Sequence, residues 1–369
     1  MKRLSLLIKP ASSLCNMRCR YCFYSDVGEH RQTLSYGIME HRTVTQIINN
    51  ISKDLDDKDE ITIAFQGGEP TLAGLNWFEN FVSCFASCVK EEVKVNYALQ
   101  TNGILIDGAW AEFLRKNNFL VGLSIDGNAK IHNSNRLDSS GRGTFEACMQ
   151  TKVLLEKSRV EYNVLCVLTN ELAAEPDKVW NFILNEKIRY IQFIPCMEGL
   201  DEEEGSPFAL RPPRFANFYS RLYYWWVKQL EKGNYISVKL FDDTANFFFR
   251  GIPSACGING QCYSQYVVEA DGSVYPCDFY VLDDYNTGNL TGQTLRRIFD
   301  SPRMQDFLRE KRELPRICLS CSYLKMCGGG CKRMRNVVYY GTKGSVCGYK
   351  MFLDKCLGPL EYTVKKHFP

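Results

Sequence analysis

Short apolar runs alternate with longer amphipathic segments over residues 1–200. Apolar runs rich in β-branched and aromatic residues predict strands, and apolar residues every three or four positions predict helices. We predict strands at 4–8, 61–65, 93–99, 120–125, 162–168 and 190–194, and helices near 42–55, 75–92, 108–118, 143–158 and 176–187. This alternation is typical of right-handed βα units, so the fold class is α/β, with a parallel sheet as an open sheet or a full or partial barrel.

Polar segments follow five of the predicted strands, at the point where each strand ends. These segments are 15–22, 66–70, 100–103, 124–127 and 195–197. In parallel α/β folds the ligand site lies at the carboxyl ends of the strands. We therefore expect the five segments to converge on one rim.

The pattern changes beyond residue 200. An acidic stretch with Gly and Pro, 201–213, predicts a loop or lid, and residues 215–230 place aromatic side chains at helical spacing, which is typical of core packing. From residue 236 onward the sequence has frequent Gly residues, is rich in Cys and is poor in long apolar runs. We predict a first domain over 1–235 and a small Cys-rich α+β domain over 236–369.

Composition narrows the class of protein. The 369 residues exceed the size of a usual single core, which agrees with two domains. A net charge of +3 gives no electrostatic signature for binding nucleic acid or an anionic membrane. The N-terminus lacks a signal-peptide pattern and no apolar stretch is long enough to span a membrane, so we expect a cytoplasmic protein with reduced thiols. In that setting an odd count of 17 Cys indicates metal or redox chemistry rather than disulfides.

Three cysteines follow the first predicted strand with the spacing C-x3-C-x2-C: Cys15, Cys19 and Cys22. Three thiolates do not complete the four-Cys shell that iron–sulfur clusters normally have, so a [4Fe–4S] cluster held here keeps one iron open to an external ligand. The alternatives are a zinc site that lacks its fourth ligand, or three unrelated thiols. The chain has only 4 His, the commonest partners in such zinc sites, and this weakens the zinc alternative.

The three-cysteine loop, with Tyr21 as the aromatic residue before its last Cys, resembles the signature of radical S-adenosylmethionine (SAM) enzymes. The segment 67–70 (Gly-Gly-Glu-Pro) after the second strand is similar to the motif with which this family contacts the amino group of SAM. The resemblance implies a partial (β/α)6 barrel over 1–235, and an open iron at which reductive cleavage of SAM gives a 5′-deoxyadenosyl radical. The SAM contacts that it implies are Tyr21, Gly67, Gly68, Glu69, Ser124, Arg136 and Met197.

Eight cysteines lie between residues 256 and 347, enough for two four-thiolate sites. Two structural zinc sites are one interpretation. The spacings also resemble the SPASM extension of radical SAM enzymes, which implies two auxiliary [4Fe–4S] clusters and thus three clusters in all. By that resemblance Cys256, Cys262, Cys277 and Cys331 hold the first, and Cys318, Cys321, Cys327 and Cys347 hold the second. The other six, Cys84, Cys88, Cys148, Cys166, Cys196 and Cys356, we interpret as small buried apolar residues.

The segment 275–280 (Tyr-Pro-Cys-Asp-Phe-Tyr) resembles the corresponding segment of anaerobic sulfatase-maturating enzymes. In that family its Asp is the catalytic base, and Asp278 matches it. The resemblance implies an oxidoreductase that converts a Cys or Ser in a C/S-x-P-x-R type motif of an unfolded sulfatase to Cα-formylglycine. The auxiliary clusters then serve electron transfer, and the partner besides the substrate is an external flavodoxin- or ferredoxin-type donor. Tyr24 and Gln66, on the same rim, are expected substrate contacts.

Two other functions remain open from the sequence. One is a different SPASM enzyme that forms thioether or carbon–carbon crosslinks in a ribosomal peptide. Such enzymes often carry a leader-binding domain before the barrel, and because the Cys loop starts at residue 15 we expect none here. The other is a zinc or iron–sulfur protein for binding or electron transfer, without SAM chemistry.

Overall fold

A computed structural model describes residues 1–201, 205–310, 313–341 and 344–368. In chain order the strands are β1 (Arg3–Ile8), β2 (Glu60–Phe65), β3 (Lys94–Thr101), β4 (Leu120–Ser124), β5 (Tyr162–Leu168), β6 (Tyr190–Pro195), β7 (Ser237–Val238), β8 (Val267–Val268), β9 (Ser273–Tyr275) and β10 (Gly288–Asn289).

The α-helices of the same ranges are α1 (Phe23–Glu29), α2 (His41–Ser52), α3 (Leu75–Cys88), α4 (Gly108–Lys116), α5 (Ala129–Asn135), α6 (Phe145–Lys157), α7 (Pro176–Asn185), α8 (Pro212–Leu230), α9 (Lys239–Arg250), α10 (Leu295–Phe299), α11 (Pro302–Arg309), α12 (Arg316–Leu319), α13 (Leu324–Cys327) and α14 (Gly348–His367). Among the described residues, none of the helices is both long and apolar enough to cross a membrane.

The six strands and five helices predicted for the first 200 residues are confirmed, with small differences at their ends. The predicted helix at 215–230 is also confirmed, and it begins three residues earlier because two prolines occupy its first turn, where a missing N–H costs nothing. Within the predicted loop 201–213, residues 202–204 lie outside the described residues.

The prediction of little apolar structure after residue 236 is wrong in one respect. The 20-residue helix α14 buries Tyr349, Phe352, Leu353, Cys356 and Leu360. These positions repeat at three- and four-residue intervals, which is a helical period that the cysteine-rich sequence around it obscures.

The first compact unit consists of Met1–Ser124, Arg136–Tyr162 and Tyr263–Glu310. Its sheet has the order β10-β9-β8-β1-β2-β3-β4, with β8-β1-β2-β3-β4 parallel and the pairs β8–β9 and β9–β10 antiparallel. An aromatic cluster around Phe65, including Phe78, Phe81 and Phe119, packs beneath this sheet. The parallel strands direct their carboxyl ends to one edge, where the candidate site lies.

The second compact unit consists of Ile125–Asn135, Asn163–Cys262 and the described residues after 310. Strands β5, β6 and β7 pair in parallel, and helices α8 and α14 pack against each other through Phe215, Tyr219 and Phe352. The two units alternate along the chain, whereas the predicted domains are consecutive. The domain boundary at 235 stays a prediction.

Candidate active site

The three-cysteine loop lies between β1 and α1 in the first unit. Cys15 Sγ accepts a hydrogen bond from the Met17 amide at 3.4 Å, and the Cys22 amide donates to Cys19 O at 3.2 Å. Cys22 occupies the position just before α1 begins. These hydrogen bonds within the loop keep it compact between β1 and α1.

The Gly-Gly-Glu turn after β2 is hydrogen-bonded to the beginning of this loop. The Gly68 amide donates to Ser12 O at 3.0 Å, and the Glu69 amide donates to Leu14 O at 2.7 Å. A Cβ on residue 68 would lie 2.1 Å from Leu14 O, a distance that no side chain tolerates. The sequence needs glycine here because the turn and the cysteine loop touch through their backbones.

Glu69 is buried, and donors on two segments, one at Thr71 and the other at Thr101 and Asn102, fix its carboxylate. Oε1 accepts hydrogen bonds from the Thr71 amide and hydroxyl at 3.1 and 2.6 Å and from the Thr101 hydroxyl at 2.8 Å. Oε2 accepts one, from the Asn102 amide at 2.7 Å. Burial raises the pKa of Glu69, although these hydrogen bonds act against the rise. Oε2 can accept a further bond, and an ammonium group such as the one on SAM fits that need.

The Cys15 thiol of the loop is suited to binding a positively charged iron centre. Burial raises the pKa of Cys15 to about 11, with Glu69 and Cys22 acting in the same direction. A thiol with a raised pKa stays protonated unless a metal takes the proton's place, and coordination to iron does this directly. In the described parts of the chain no three His, Cys, Asp or Glu side chains converge closely enough to hold a single metal ion. The fit to a cluster therefore rests on burial, on the loop and on its contact with the Gly-Gly-Glu turn.

One more of the predicted SAM contacts, Arg136, lies beside this loop. Arg136 is buried, its Nη1 lies 3.3 Å from the Tyr21 hydroxyl, and its carbonyl accepts from Thr144. Ser124 is buried at the carboxyl end of β4. Met197 belongs to the second unit, two residues after β6 ends. The role of each of these residues toward SAM stays a prediction.

Asp278 lies at the centre of a hydrogen-bonded group in the first unit. Its Oδ2 accepts from the Tyr24 hydroxyl at 2.6 Å and from Gln66 Nε2 at 3.0 Å, and Gln66 also donates to the Tyr24 hydroxyl. Its buried Oδ1 accepts no hydrogen bond from the described residues. Burial, and after it the Asp278 carboxylate, raise the pKa of Tyr24 well above its usual value, so Tyr24 is a neutral donor. The structure thus brings together the three residues that the sequence proposed as base and substrate contacts.

Behind Asp278 lies a buried charge network that the sequence reasoning missed. Lys9 Nζ lies 3.5 Å from Asp278 Oδ1 and 3.7 Å from Glu269 Oε1, and Arg31 Nη1 donates to Glu269 Oε1 at 2.6 Å. Burial acts to raise the pKa of Glu269, but Lys9 and Arg31 outweigh it and lower the pKa. Burying a charge requires a partner, and each of these side chains has one of opposite charge.

In the second unit, four cysteines line one cavity: Cys318, Cys321, Cys327 and Cys347. Burial raises the pKa of Cys318 to about 11 and that of Cys327 to about 12, and Cys321 and Cys347 add to both shifts. This is the set that the sequence assigned to the second auxiliary cluster. Its members are thus close neighbours, which supports that assignment.

The proposed ligands of the first auxiliary cluster are divided between the units. Cys256, Cys262 and Cys331 belong to the second unit, where a Cβ on Gly257 would lie 2.8 Å from Cys331 Cβ. Cys277 belongs to the first unit, two residues after β9 ends and directly before Asp278. That these four thiolates share a cluster stays a prediction.

Of the six remaining cysteines, Cys148, Cys166, Cys196 and Cys356 are buried, as expected. Cys84 and Cys88 are only half-buried, and for these two the expectation is wrong. Cys88 Sγ lies 3.6 Å from Asn49 Oδ1 of α2, so these thiols lie towards a helix–helix contact rather than in the aromatic core.

Comparison with known proteins defines the class. The Radical SAM superfamily model matches residues 10–178, and the SPASM model, an iron–sulfur cluster-binding domain, matches residues 256–322. The chain is a radical SAM enzyme whose cofactors are SAM and [4Fe–4S] clusters. The predicted fold class, an α/β radical SAM core followed by a SPASM domain, is confirmed.

Individual relatives identify the family. The chain is 40% identical, over 91% of its length and 90% of the relative's, to a cysteine-type anaerobic sulfatase-maturating enzyme of Clostridium perfringens (strain 13 / Type A). It is 31% identical, over 96% of its length and 86% of the relative's, to a serine-type anaerobic sulfatase-maturating enzyme of Klebsiella aerogenes. A solved structure of native anSMEcpe with bound AdoMet and Kp18Cys peptide matches 99% of both chains with a TM-score of 0.89 and 37% identity. The chain belongs to the family of anaerobic sulfatase-maturating enzymes.

Proposed function

We propose that this enzyme oxidises a Cys or Ser side chain, within a C/S-x-P-x-R type motif of an unfolded sulfatase, to Cα-formylglycine. The observation that carries the proposal is the environment of Asp278: one carboxylate oxygen is saturated by Tyr24 and Gln66, and the other accepts no hydrogen bond. Relatives at 40% and 31% identity are named cysteine-type and serine-type anaerobic sulfatase-maturating enzymes, and a matching structure holds a peptide.

Conversion of a Ser side chain to an aldehyde, or of a Cys side chain to a thioaldehyde, removes two electrons and two hydrogens. The thioaldehyde then gives the aldehyde by reaction with water and release of hydrogen sulfide. When bound, SAM and the clusters supply the acceptor for the Cβ hydrogen atom and the acceptor for the remaining electron. What the chain's own residues must do is take the proton of the thiol or hydroxyl. Asp278 Oδ1 is the atom for this task, since it has lone pairs available and Oδ2 is already occupied.

Tyr24 and Gln66 hold Asp278 in one orientation. Because a raised pKa keeps Tyr24 protonated, it donates to Oδ2 and leaves Oδ1 directed elsewhere. Both side chains are only half-buried, which is consistent with a second role as substrate contacts.

Glu69, Arg136 and Tyr21 are proposed to orient SAM at the cysteine loop, with Gly67 and Gly68 providing the close backbone approach. Glu69 suits an ammonium group, and the Arg136 guanidinium suits a carboxylate. Ser124 and Met197 complete the proposed set.

The finer partners and the location belong to the same proposal. An external flavodoxin- or ferredoxin-type protein delivers the electron that starts each turnover, and the two auxiliary clusters carry electrons away from the substrate. Because low-potential clusters and reduced thiols need a reducing compartment, we place the enzyme in the cytoplasm. A Cys substrate is favoured, since identity to the cysteine-type relative is 40% and to the serine-type relative 31%.

The test is anaerobic incubation of the reconstituted enzyme with SAM, a reductant and two matched peptides that differ only in Cys or Ser at the motif position. Formation of formylglycine together with 5′-deoxyadenosine supports the proposal, and faster turnover of the Cys peptide supports the preference. A crosslinked peptide of lower mass, or unchanged peptide despite SAM cleavage, contradicts it.

A further inference from the structure

The residues behind Asp278 form a linear series of alternating charges. Arg31 contacts Glu269 at 2.6 Å, Glu269 lies 3.7 Å from Lys9, and Lys9 lies 3.5 Å from Asp278. All four are at least nine-tenths buried. Two cations and two carboxylates balance, which is the condition for keeping four charges away from water.

The sheet explains why Lys9 and Glu269 are neighbours. Strands β1 and β8 pair in parallel with Ile8 opposite Val268, so the next residue on each strand continues the register. The Lys9 amide donates to Val268 O at 2.8 Å. Glu269 then begins the turn between β8 and β9, and the strand that returns leads to Asp278.

The distances from Lys9 Nζ to the two neighbouring carboxylates are both longer than an ordinary hydrogen bond. At 3.5 Å from Asp278 Oδ1 and 3.7 Å from Glu269 Oε1, Nζ is shared between two carboxylates and closes on neither. A lysine ammonium with one carboxylate approaches it to about 2.8 Å. Without its second carboxylate, Lys9 would thus move onto Oδ1 and compete with the substrate proton for that oxygen.

We propose that Glu269, anchored by Arg31, is a positioning residue that holds Lys9 back from Asp278 Oδ1. The carboxylate of Asp278 thereby remains charge-compensated and yet open to the substrate. The inference rests on the proposed function, because it concerns the atom to which that function assigns the proton.

The direct test is the structure of the Glu269→Gln variant. Glu269→Gln retains the shape of the side chain and, among the described residues, leaves Lys9 with Asp278 as its only carboxylate partner. We expect the Lys9 Nζ to Asp278 Oδ1 distance to shorten to about 2.8 Å. A distance that stays at 3.5 Å overturns the proposal, whatever the substrate proves to be.

The kinetic test separates positioning from a general structural role. Glu269→Gln is expected to lower kcat for formylglycine about tenfold with an unchanged peptide KM, while 5′-deoxyadenosine continues to form, so that the two products become uncoupled. In a Lys9→Met background, which removes the ammonium, the same substitution is expected to change the ratio of the two products by less than about twofold. If Glu269→Gln uncouples the two products equally in the wild-type and Lys9→Met backgrounds, Glu269 does not act through Lys9, and the proposal is overturned.

Two controls keep the test interpretable. Glu60→Gln removes a partly exposed carboxylate that pairs with Lys94 at the other end of β2, and it should behave as wild type. If Glu269→Gln does not fold, Glu269→Asp preserves the charge balance while drawing the carboxylate back from Lys9, and weaker uncoupling is expected. A wild-type product ratio in Glu269→Asp then overturns the proposal. If the wild-type enzyme makes no formylglycine, the proposed function fails by itself, and the structure of Glu269→Gln still decides the inference.

Discussion

Tyr24 and Asp278, 254 residues apart in sequence, are joined by a 2.6 Å hydrogen bond. Tyr24 lies in the first turn of α1, just after the last cysteine of the loop, and Asp278 directly follows a proposed cluster ligand. The bond therefore ties the proposed base to the helix that follows the three-cysteine loop. Each end of it can be tested by a single substitution.

Asp278→Asn removes the proposed proton acceptor and preserves the shape of the side chain. Because a positioned general base contributes about 10²–10⁴-fold, formylglycine formation should fall by that factor while SAM cleavage to 5′-deoxyadenosine persists. Mass spectrometry of the peptide and chromatography of the nucleoside measure both. The matched control is Asp283→Asn, an Asp five residues further on that accepts from the Gln32 amide. Product formation at the wild-type rate in Asp278→Asn would remove the base from the mechanism.

Tyr24→Phe deletes the hydroxyl that donates to Asp278 Oδ2 but keeps the ring. Loss of one hydrogen bond to a charged acceptor costs about 1.5–3 kcal/mol, so formylglycine formation should drop about 10- to 100-fold, with peptide KM changed less. Gln66 still donates to the same oxygen, which is why the effect should be smaller than that of Asp278→Asn. Tyr285→Phe, whose ring packs against Tyr280 and Phe307, is the control and should leave the rate unchanged. A rate for Tyr24→Phe below that of Asp278→Asn would contradict this ranking.

The sequence predicted the strands well because parallel strands bury both faces and leave continuous apolar runs. It also indicated Asp278, but only through its neighbouring cysteine and the resemblance of the segment around it. The partners of Asp278 could be predicted from the sequence only in part. Tyr24 and Gln66 were suspected as substrate contacts from their place on the rim, whereas their hydrogen bonds to Asp278 depend on pairings across the sheet.

Lys9, Arg31 and Glu269 escaped prediction for a different reason. A single Lys, Arg or Glu carries no local signal that distinguishes a buried ion pair from a solvated side chain, since these residues are mostly exposed. Their burial follows from β1 pairing with β8, strands separated by more than 250 residues in the chain. The apolar period of α14, by contrast, is present in the sequence, but the cysteines near it obscure it.

Arg31→Met should destabilise the protein strongly. Among the described residues it leaves Lys9 as the only cation paired with Glu269 and Asp278. Removing one partner of a buried ion pair costs about 3–5 kcal/mol. Urea unfolding of the reconstituted enzyme measures the loss. Arg142→Met breaks an exposed pair with Asp138 and should cost no more than about 1 kcal/mol.

The loss of stability in Arg31→Met should depend on pH. Lys9 and Arg31 lower the pKa of Glu269 in the folded protein below its usual 4.5, so the stabilisation is present above pH 4.5 and is lost as the pH falls through the folded-state pKa. The stability difference between wild type and Arg31→Met should therefore narrow below pH 4.5. A difference that stays constant across this range would show that Arg31 acts through packing alone.

Gly68→Ala should detach the Gly-Gly-Glu turn from the cysteine loop. The new Cβ would lie 2.1 Å from Leu14 O. Because the Cβ is attached rigidly to its backbone and Leu14 O is itself a backbone atom, one of the two backbone segments must move. We expect a cost of about 1–3 kcal/mol, with weaker SAM binding in equilibrium dialysis. Gly108→Ala, where an added Cβ meets nothing within 4 Å, is the control and should bind SAM normally. Unchanged SAM affinity in Gly68→Ala would mean that this backbone contact does not shape the SAM site.

Gly330→Ala tests the auxiliary-cluster region of the second unit. Gly330 has a φ of +71° and lies between Cys327 and Cys331, and a Cβ there would overlap the Tyr339 ring at 1.9 Å. Backbone strain and the clash act together, so the segment that carries both cysteines should not keep its conformation. Because these cysteines are assigned to different clusters, the variant should lose about one to two thirds of its iron. Iron analysis and Mössbauer spectroscopy of the anaerobically reconstituted protein measure this loss.

The control for this last variant is Gly205→Ala in the second unit, where the added Cβ meets nothing within 4 Å and the iron content should match that of the wild type. SAM binding, which depends on the first cysteine loop, should survive in Gly330→Ala. Full iron content in that variant would contradict the assignment of Cys327 and Cys331 as cluster ligands, because neither thiolate can hold its position once Tyr339 is displaced. Loss of SAM binding together with the iron would instead indicate that the chain as a whole, and not this segment alone, depends on Gly330.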